Sequence, residues 1–231
     1  MRSDHCTSRL ALSTALLVLS ACNSTNPGAI QSVMVNVRAN ATSQSTTQAA
    51  GAVEISGLRL VIGQAALGNG DQFGCADCQG GQQDVTPVPA VVTVPVDGSP
   101  VSVAAERVAS GHYSAVEIEL VTPSSAVLAA TTGWTAGATI EVRGRHNGVD
   151  FTLPLAIPGQ FQEALSPAID VPVGGLSGPI NVTITLPVAS WFTSNGTPLD
   201  PADAAARAQI TANARASITV ESGTVSEGAE R

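Results

Sequence analysis

Residues 138–157 read ATIEVRGRHNGVDFTLPLAI. Asn147-Gly148 at the centre is the favoured dipeptide for a two-residue turn with positive φ at both positions, and apolar alternation flanks it on both sides. Placing those residues in the turn sets Ile140 opposite Leu155, Val142 opposite Leu153 and Gly144 opposite Phe151, all on one face, with the Phe ring able to cover the glycine. The other face pairs Glu141 with Pro154, Arg143 with Thr152 and Arg145 with Asp150. One register that sorts apolar from polar so cleanly predicts a hairpin over Ala138 to Ile157. Pro154 has no N–H to donate, so its strand belongs at a sheet edge or carries a bulge there.

Similar alternation recurs along the chain. Val33, Val35 and Val37 form one run, and Val53, Ile55, Leu58, Leu60 and Ile62 form a second, broken by Gly57. The Ser/Thr/Gln/Ala stretch between them, Asn40 to Gly51, reads as a flexible hairpin loop. Val92, Val94 and Val96 end at the turn pair Asp97-Gly98, and Tyr113 to Leu120 alternates Val116, Ile118 and Leu120 with Glu117 and Glu119. Ala168 to Val173, Ile180 to Leu186 and Ser217 to Glu221 complete the expected strands. One helix is expected, with Asp200 as N-cap, Pro201 at the first helical position, Asp203 as the capping-box acid, and Ala204 to Ala216 packing through Ile210 and small alanines. Many short strands and one helix predict an all-β fold: an antiparallel β-sandwich, immunoglobulin- or prealbumin-like, with one short C-terminal α-helix.

The N-terminus carries an address. Arg2 and Arg9 precede an apolar segment, Leu10 to Leu19, of about half the length needed to cross a bilayer. It ends in Leu19-Ser20-Ala21-Cys22, which resembles the lipobox of bacterial lipoproteins, where small residues fit a peptidase pocket and the cysteine thiol accepts a diacylglyceryl group. The expected organisation is a signal peptide at 1–21, a lipidated tether at 22–30, a single β-sandwich domain at 31–221 and an acidic tail at 222–231. In lipoproteins an Asp after the cysteine favours inner-membrane retention. Asn23 at that position points to the outer membrane of a Gram-negative cell envelope.

Removal of residues 1–21 takes away Arg2, Arg9 and Asp4 and leaves 8 basic against 17 acidic side chains, a net charge of −9. Every basic residue is Arg. Such a surface is a poor match for nucleic acid, which requires a basic patch. It is equally unsuited to lying flat on an anionic bilayer. Seven aromatic residues in 231 are few for a sugar- or aromatic-ligand site.

Cys75 and Cys78 lie in a Gly/Gln/Asp-rich loop, Gly68 to Asp84. In an exported protein a disulfide between them is the first expectation. A redox pair would need a helix start at the first cysteine, and Gln79-Gly80-Gly81 argues against one. The alternative is a metal site that adds His112 and His146 to the two cysteines. The histidines otherwise read as solvated rim residues beside turns. Asp71, Asp77 and Asp84, with Phe73 as the single apolar group, make the loop a candidate contact surface for an envelope protein or surface ligand. Their spacing is not that of a calcium loop. Trp191-Phe192 reads as closing one end of the core. Neither a nucleophile elbow nor a dinucleotide loop is present: Gly175-Leu176-Ser177-Gly178 and Gly68-Asn69-Gly70 with Gly74 both miss the required spacing.

Gly111-His112-Tyr113 running into Val116-Glu117-Ile118-Glu119-Leu120 and Leu186-Pro187-Val188-Ala189-Ser190-Trp191-Phe192 leading to Leu199-Asp200-Pro201, together with the lipobox, resemble uncharacterised bacterial lipoproteins built on β-sandwich domains of unknown function. The resemblance covers most of the mature chain and implies a fold and a location, with no activity. The expected function is therefore non-enzymatic and without cofactor: a membrane-anchored structural, adhesive or partner-binding module. The alternative is a small metal- or ligand-binding envelope protein using the two cysteines and two histidines.

Overall fold

The computed structural model describes residues 31–41, 53–69, 83–84, 90–172 and 178–222. In chain order the strands and helices are β1 (Gln31–Ala39), β2 (Val53–Gly68), β3 (Gln83–Asp84), β4 (Ala90–Val94), β5 (Val101–Val108), β6 (Gly111–Leu120), α1 (Ser125–Ala129), β7 (Ile140–His146), β8 (Val149–Leu155), β9 (Gly159–Val171), β10 (Ile180–Leu186), α2 (Val188–Trp191), β11 (Thr193–Ser194), β12 (Thr197–Pro198), α3 (Ala204–Ala216) and β13 (Thr219–Ser222). The fold is an all-β sandwich. One sheet runs β13-β10-β1-β5 and the other β8-β7-β2-β6-β9, with β3 and β4 also on β2.

The alternation of apolar residues turns one face of each sheet inward. Val33, Val35 and Val37 of β1 and Ile180, Val182, Ile184 and Leu186 of β10 meet Leu58, Leu60, Ile118, Leu120, Ile140 and Val142 of the larger sheet in one continuous core. The void left between the sheets, lined by Val37, Leu60, Ile118, Ile184 and their neighbours, is about 10 Å³. A space of that size is at the lower limit for one water, so this part of the core is a packed interior and holds no organic ligand.

β2 organises the larger sheet. Its first half pairs with β7 and its second half with β6, while β4 and then β3 run along the opposite edge. The exchange of partners occurs at Val61, whose N–H donates to Thr139 O at 3.0 Å and whose carbonyl accepts from Val121 N at 3.1 Å. Both groups of one strand residue point the same way, so β7 and β6 share one edge of β2 end to end. A bulge follows at Gly63, where a Cβ would collide with the Val121 side chain. A second bulge lies at Gly57, where the sequence pattern breaks. Thr139 completes the junction: its hydroxyl donates to Leu155 O at 3.1 Å and accepts from Ile157 N at 3.0 Å.

The 138–157 hairpin has the register expected from its sequence, from Ile140 with Leu155 through Arg145 with Asp150. Asn147 and Gly148 have φ of 52° and 78°. The Phe151 ring lies against the space a Gly144 Cβ would fill, and β8, which carries Pro154, is an edge strand.

Several expectations are corrected. The smaller sheet is mixed, because β1 pairs parallel with β10. β1 and β2 lie in different sheets, so the chain from Asn40 onward is a crossover between sheets and not a hairpin loop; residues 42–52 lie outside the described residues. The helix is capped by Asp203, whose carboxylate accepts from Ala205 N at 2.8 Å, whereas Asp200 caps the preceding turn through Ala202 N at 2.8 Å. Ala206, Ile210 and Ala214 form its buried stripe, as the small residues imply, and two further short helices, α1 and α2, are present. The strand expected from Ala168 is the end of the longer β9, and the last strand extends through Ser222.

Hairpin variants test this register. Val142→Asp, which buries a charge at a fully enclosed position, should destabilise the domain by several kcal/mol. Gly148→Val, which forces a β-branched residue to positive φ, should cost on the order of 1 kcal/mol or more. Thr152→Lys on the exposed face should be near neutral. Thermal melts of the three variants give the ranking.

Candidate functional site

Besides the Asn36–Asn181 and Arg38–Thr185 pairs between β1 and β10, polar clusters occur at the two poles of the sandwich and on one flank of the larger sheet. The first pole is where β1, β6 and β10 begin and β2, β5 and β9 end. Gln31, only 4 % exposed, pairs with Val108 and donates from Nε2 to Gly178 O at 2.5 Å. The turn between β5 and β6 is closed by Tyr113, whose hydroxyl donates to Ala109 O at 3.0 Å. This is the geometry of the tyrosine corner seen where sandwich strands change sheets. Burial of the ring pushes the phenol up from its ordinary value. Beside it His112 Nδ1 and Asp170 Oδ1 meet at 2.6 Å across paired positions of β6 and β9, and Ser114 Oγ donates to Asn69 Oδ1 at 3.2 Å. The Cys75/Cys78 loop leaves β2 and returns into β3 at this pole. Gly68 and Asp84 are strand ends rather than loop. Cys75, Cys78, Asp71, Phe73 and Asp77 lie outside the described residues, as does Cys22.

The opposite pole is capped by α2, the β11–β12 hairpin and α3. Trp191 and Phe192 are buried there, as expected of residues that close the core. The Trp191 indole donates to Ser217 Oγ at 2.7 Å, and Asn213 Nδ2 donates to the carbonyls of Trp191 and Thr193. The β7–β8 hairpin leans on this cap: the Phe151 and Phe192 rings are 5.8 Å apart, and His146 Nδ1 lies 3.1 Å from Asp200 Oδ1. His146 is therefore a largely enclosed tie between hairpin and cap and not a solvated rim residue, its side chain being 14 % exposed. Val149 at the hairpin tip is 70 % exposed.

The two histidines do not come together. His146 pairs with Val53 at the start of β2, whereas Ala115 pairs with Gly68 at its end and His112 lies three residues further on. At roughly 3.3 Å per residue the separation along the strands is on the order of 60 Å, so one ion cannot take both. Among the described residues no group of three His, Cys, Asp or Glu side chains is placed to hold a metal ion.

The flank cluster is the feature that alternation alone does not reveal. Glu141 faces away from the apolar side of the hairpin, yet it is fully buried. The segment between α1 and β7 folds over it. Arg59 of β2 forms an ion pair with Glu141 Oε2, and the Thr135 N–H donates to Oε1 at 2.5 Å. Arg59 also donates to Thr132 O at 3.1 Å and Gly133 O at 2.6 Å, and its guanidinium stacks 5.3 Å from the centre of the Trp134 ring. Burial by itself would raise the Glu141 carboxyl, but the hydrogen bonds from Thr135 and Arg59 and the Arg59 charge outweigh it and hold the group below its ordinary value. The arrangement is a clasp that pins an irregular segment onto the sheet. The sequence signal for it is a lone Trp between Gly133 and Thr135, facing an Arg set between Leu58 and Leu60 on β2.

Because Glu141 is the stronger acid in the folded state, its stabilising effect is complete above the unfolded glutamate value, about 4.3. That effect is lost as pH falls through the lower folded value. The melting temperature of Glu141→Gln should accordingly fall less than that of the wild type between about pH 6 and about pH 3. At neutral pH, Arg59→Met, which strands a buried carboxylate, should cost on the order of 3 kcal/mol. The double variant Arg59→Met/Glu141→Leu should recover much of that loss in denaturant titrations.

Comparison with protein-family models, with curated proteins and with solved structures finds no match to this chain.

Proposed function

We propose that the chain is a lipid-anchored protein of the bacterial cell envelope whose β-sandwich serves as a non-catalytic structural, adhesive or partner-binding module. The observation that carries this reading is Leu19-Ser20-Ala21-Cys22 at the end of a short apolar segment with Arg2 and Arg9 before it. The spacing to the fold supports it: β1 begins at Gln31, so the eight residues between Cys22 and β1 are a linker of the right scale to hold a domain close to a membrane. The use of the ionisable groups supports it as well. Glu141 and Arg59 clasp a loop, and His146 and Asp200 tie a hairpin to a cap, so these side chains act on the fold. Asn23, in the position after the lipidated cysteine, favours the outer membrane.

Expression in a host with the lipoprotein pathway provides the test. The wild-type chain should carry fatty acid and partition into detergent. Cys22→Ala should do neither and should retain residues 1–21. Recovery of wild type as a soluble periplasmic species with a free N-terminus would overturn the reading.

A further inference from the structure

Resting on the lipid anchor at Cys22, we infer that the bilayer faces one particular pole of the sandwich, the one built from Gln31, the β5–β6 turn and the end of β9, so that the β7–β8 hairpin and its α3 cap stand away from the membrane. The geometry follows from the strand directions. β1 enters the sheet at Gln31, which pairs with Val108. β5 ends there, β6 starts there at Gly111, and Gly111 pairs with Val171 at the end of β9. β2 also ends at this level, since Gly68 pairs with Ala115. From that level β2 runs its full 16 residues to Val53, which pairs with His146 next to the hairpin turn. The hairpin tip is therefore on the order of 50 Å along the strands from the level at which the chain enters the domain.

The covalent reach of the linker fixes the rest. The nine residue-to-residue steps from Cys22 to Gln31 cannot span more than about 30 Å even when fully extended. The entry pole stays within that distance of the lipid headgroups, and this limit is shorter than the distance from pole to tip. The bilayer excludes every orientation that would drive the domain into it, so pivoting at Gln31 leaves the tip farther out on average than the pole. The net charge of −9 after removal of residues 1–21 opposes a side-lying pose on anionic lipid. One consequence is that Gly68 at the end of β2 and Gln83 at the start of β3 belong to the membrane-facing half.

Energy transfer from single labelled thiols to headgroup-labelled lipid measures this directly. The full lipidated chain, carrying Cys75→Ser and Cys78→Ser, would be reconstituted into phosphatidylcholine–phosphatidylglycerol vesicles. Ala109→Cys at the entry pole and Val149→Cys at the hairpin tip each supply one labelling site at an exposed position. Transfer from Ala109→Cys should exceed that from Val149→Cys several-fold. A second pair, Asp170→Cys and Asp150→Cys, should give the same order. Equal transfer from the two poles, or stronger transfer from the tip, overturns the orientation while the anchor stands. Protein that fails to float with the vesicles overturns the anchor, and the orientation with it.

Discussion

The partner exchange at Val61 is the constraint on which the rest of the molecule depends. A strand edge offers one row of N–H and C=O groups, and here two different strands divide that row between them. Val61 is bound by Thr139 on one side of the exchange and by Val121 on the other. The divided edge lets β7 and β6 lie end to end, which makes the larger sheet long enough to extend past the smaller one. The overhang is the hairpin, and the cap of α2 and α3 fills the space beneath it. Gly63 is what permits the junction, because a side chain there would displace Val121 from the edge it has just joined. Two backbone hydrogen bonds and one missing methyl thus decide where the sheet turns over its pairing and how tall the domain is.

The Arg59–Glu141 clasp answers a problem that this layout creates. A sheet longer than its partner has an outer face to protect, and the 121–139 segment covers part of it without a regular helix longer than α1. Irregular backbone leaves polar groups to be satisfied. Arg59 takes the carbonyls of Thr132 and Gly133, and Glu141 takes the Thr135 N–H, so one ion pair serves three backbone groups. Pairing and hydrogen bonding of this kind are what make a fully buried carboxylate tolerable.

Much of this architecture was legible in the residues themselves, for physical reasons that differ by element. The 138–157 hairpin is local: a turn dipeptide and a two-residue period determine its register without help from the rest of the chain. β1, β6 and β10 announce themselves because one face of each is in the core. β5 does not, since Ala104 and Ala105 interrupt its alternation, and the first half of β9 does not, since a sheet-edge strand with exposed side chains needs little apolar pattern. The burial of Glu141 was invisible because alternation reports which face a side chain is on and not what covers that face. Composition alone allows the two histidines to share one site. The length of β2 separates them, and no spacing rule in the sequence carries that information.

The parallel pairing of β1 with β10 has a consequence for how the chain comes to its native state. Val33 lies beside Ile180, 147 positions later, and β10 in turn pairs with β13 near the end of the domain. The central strand of the smaller sheet therefore stays without one neighbour until nearly the whole polypeptide is present. Contacts of such long range carry a large loop-closure cost and slow the search for the native topology. A chain emerging from a ribosome keeps this sheet open, with one edge of β1 unpaired, until β10 has been made.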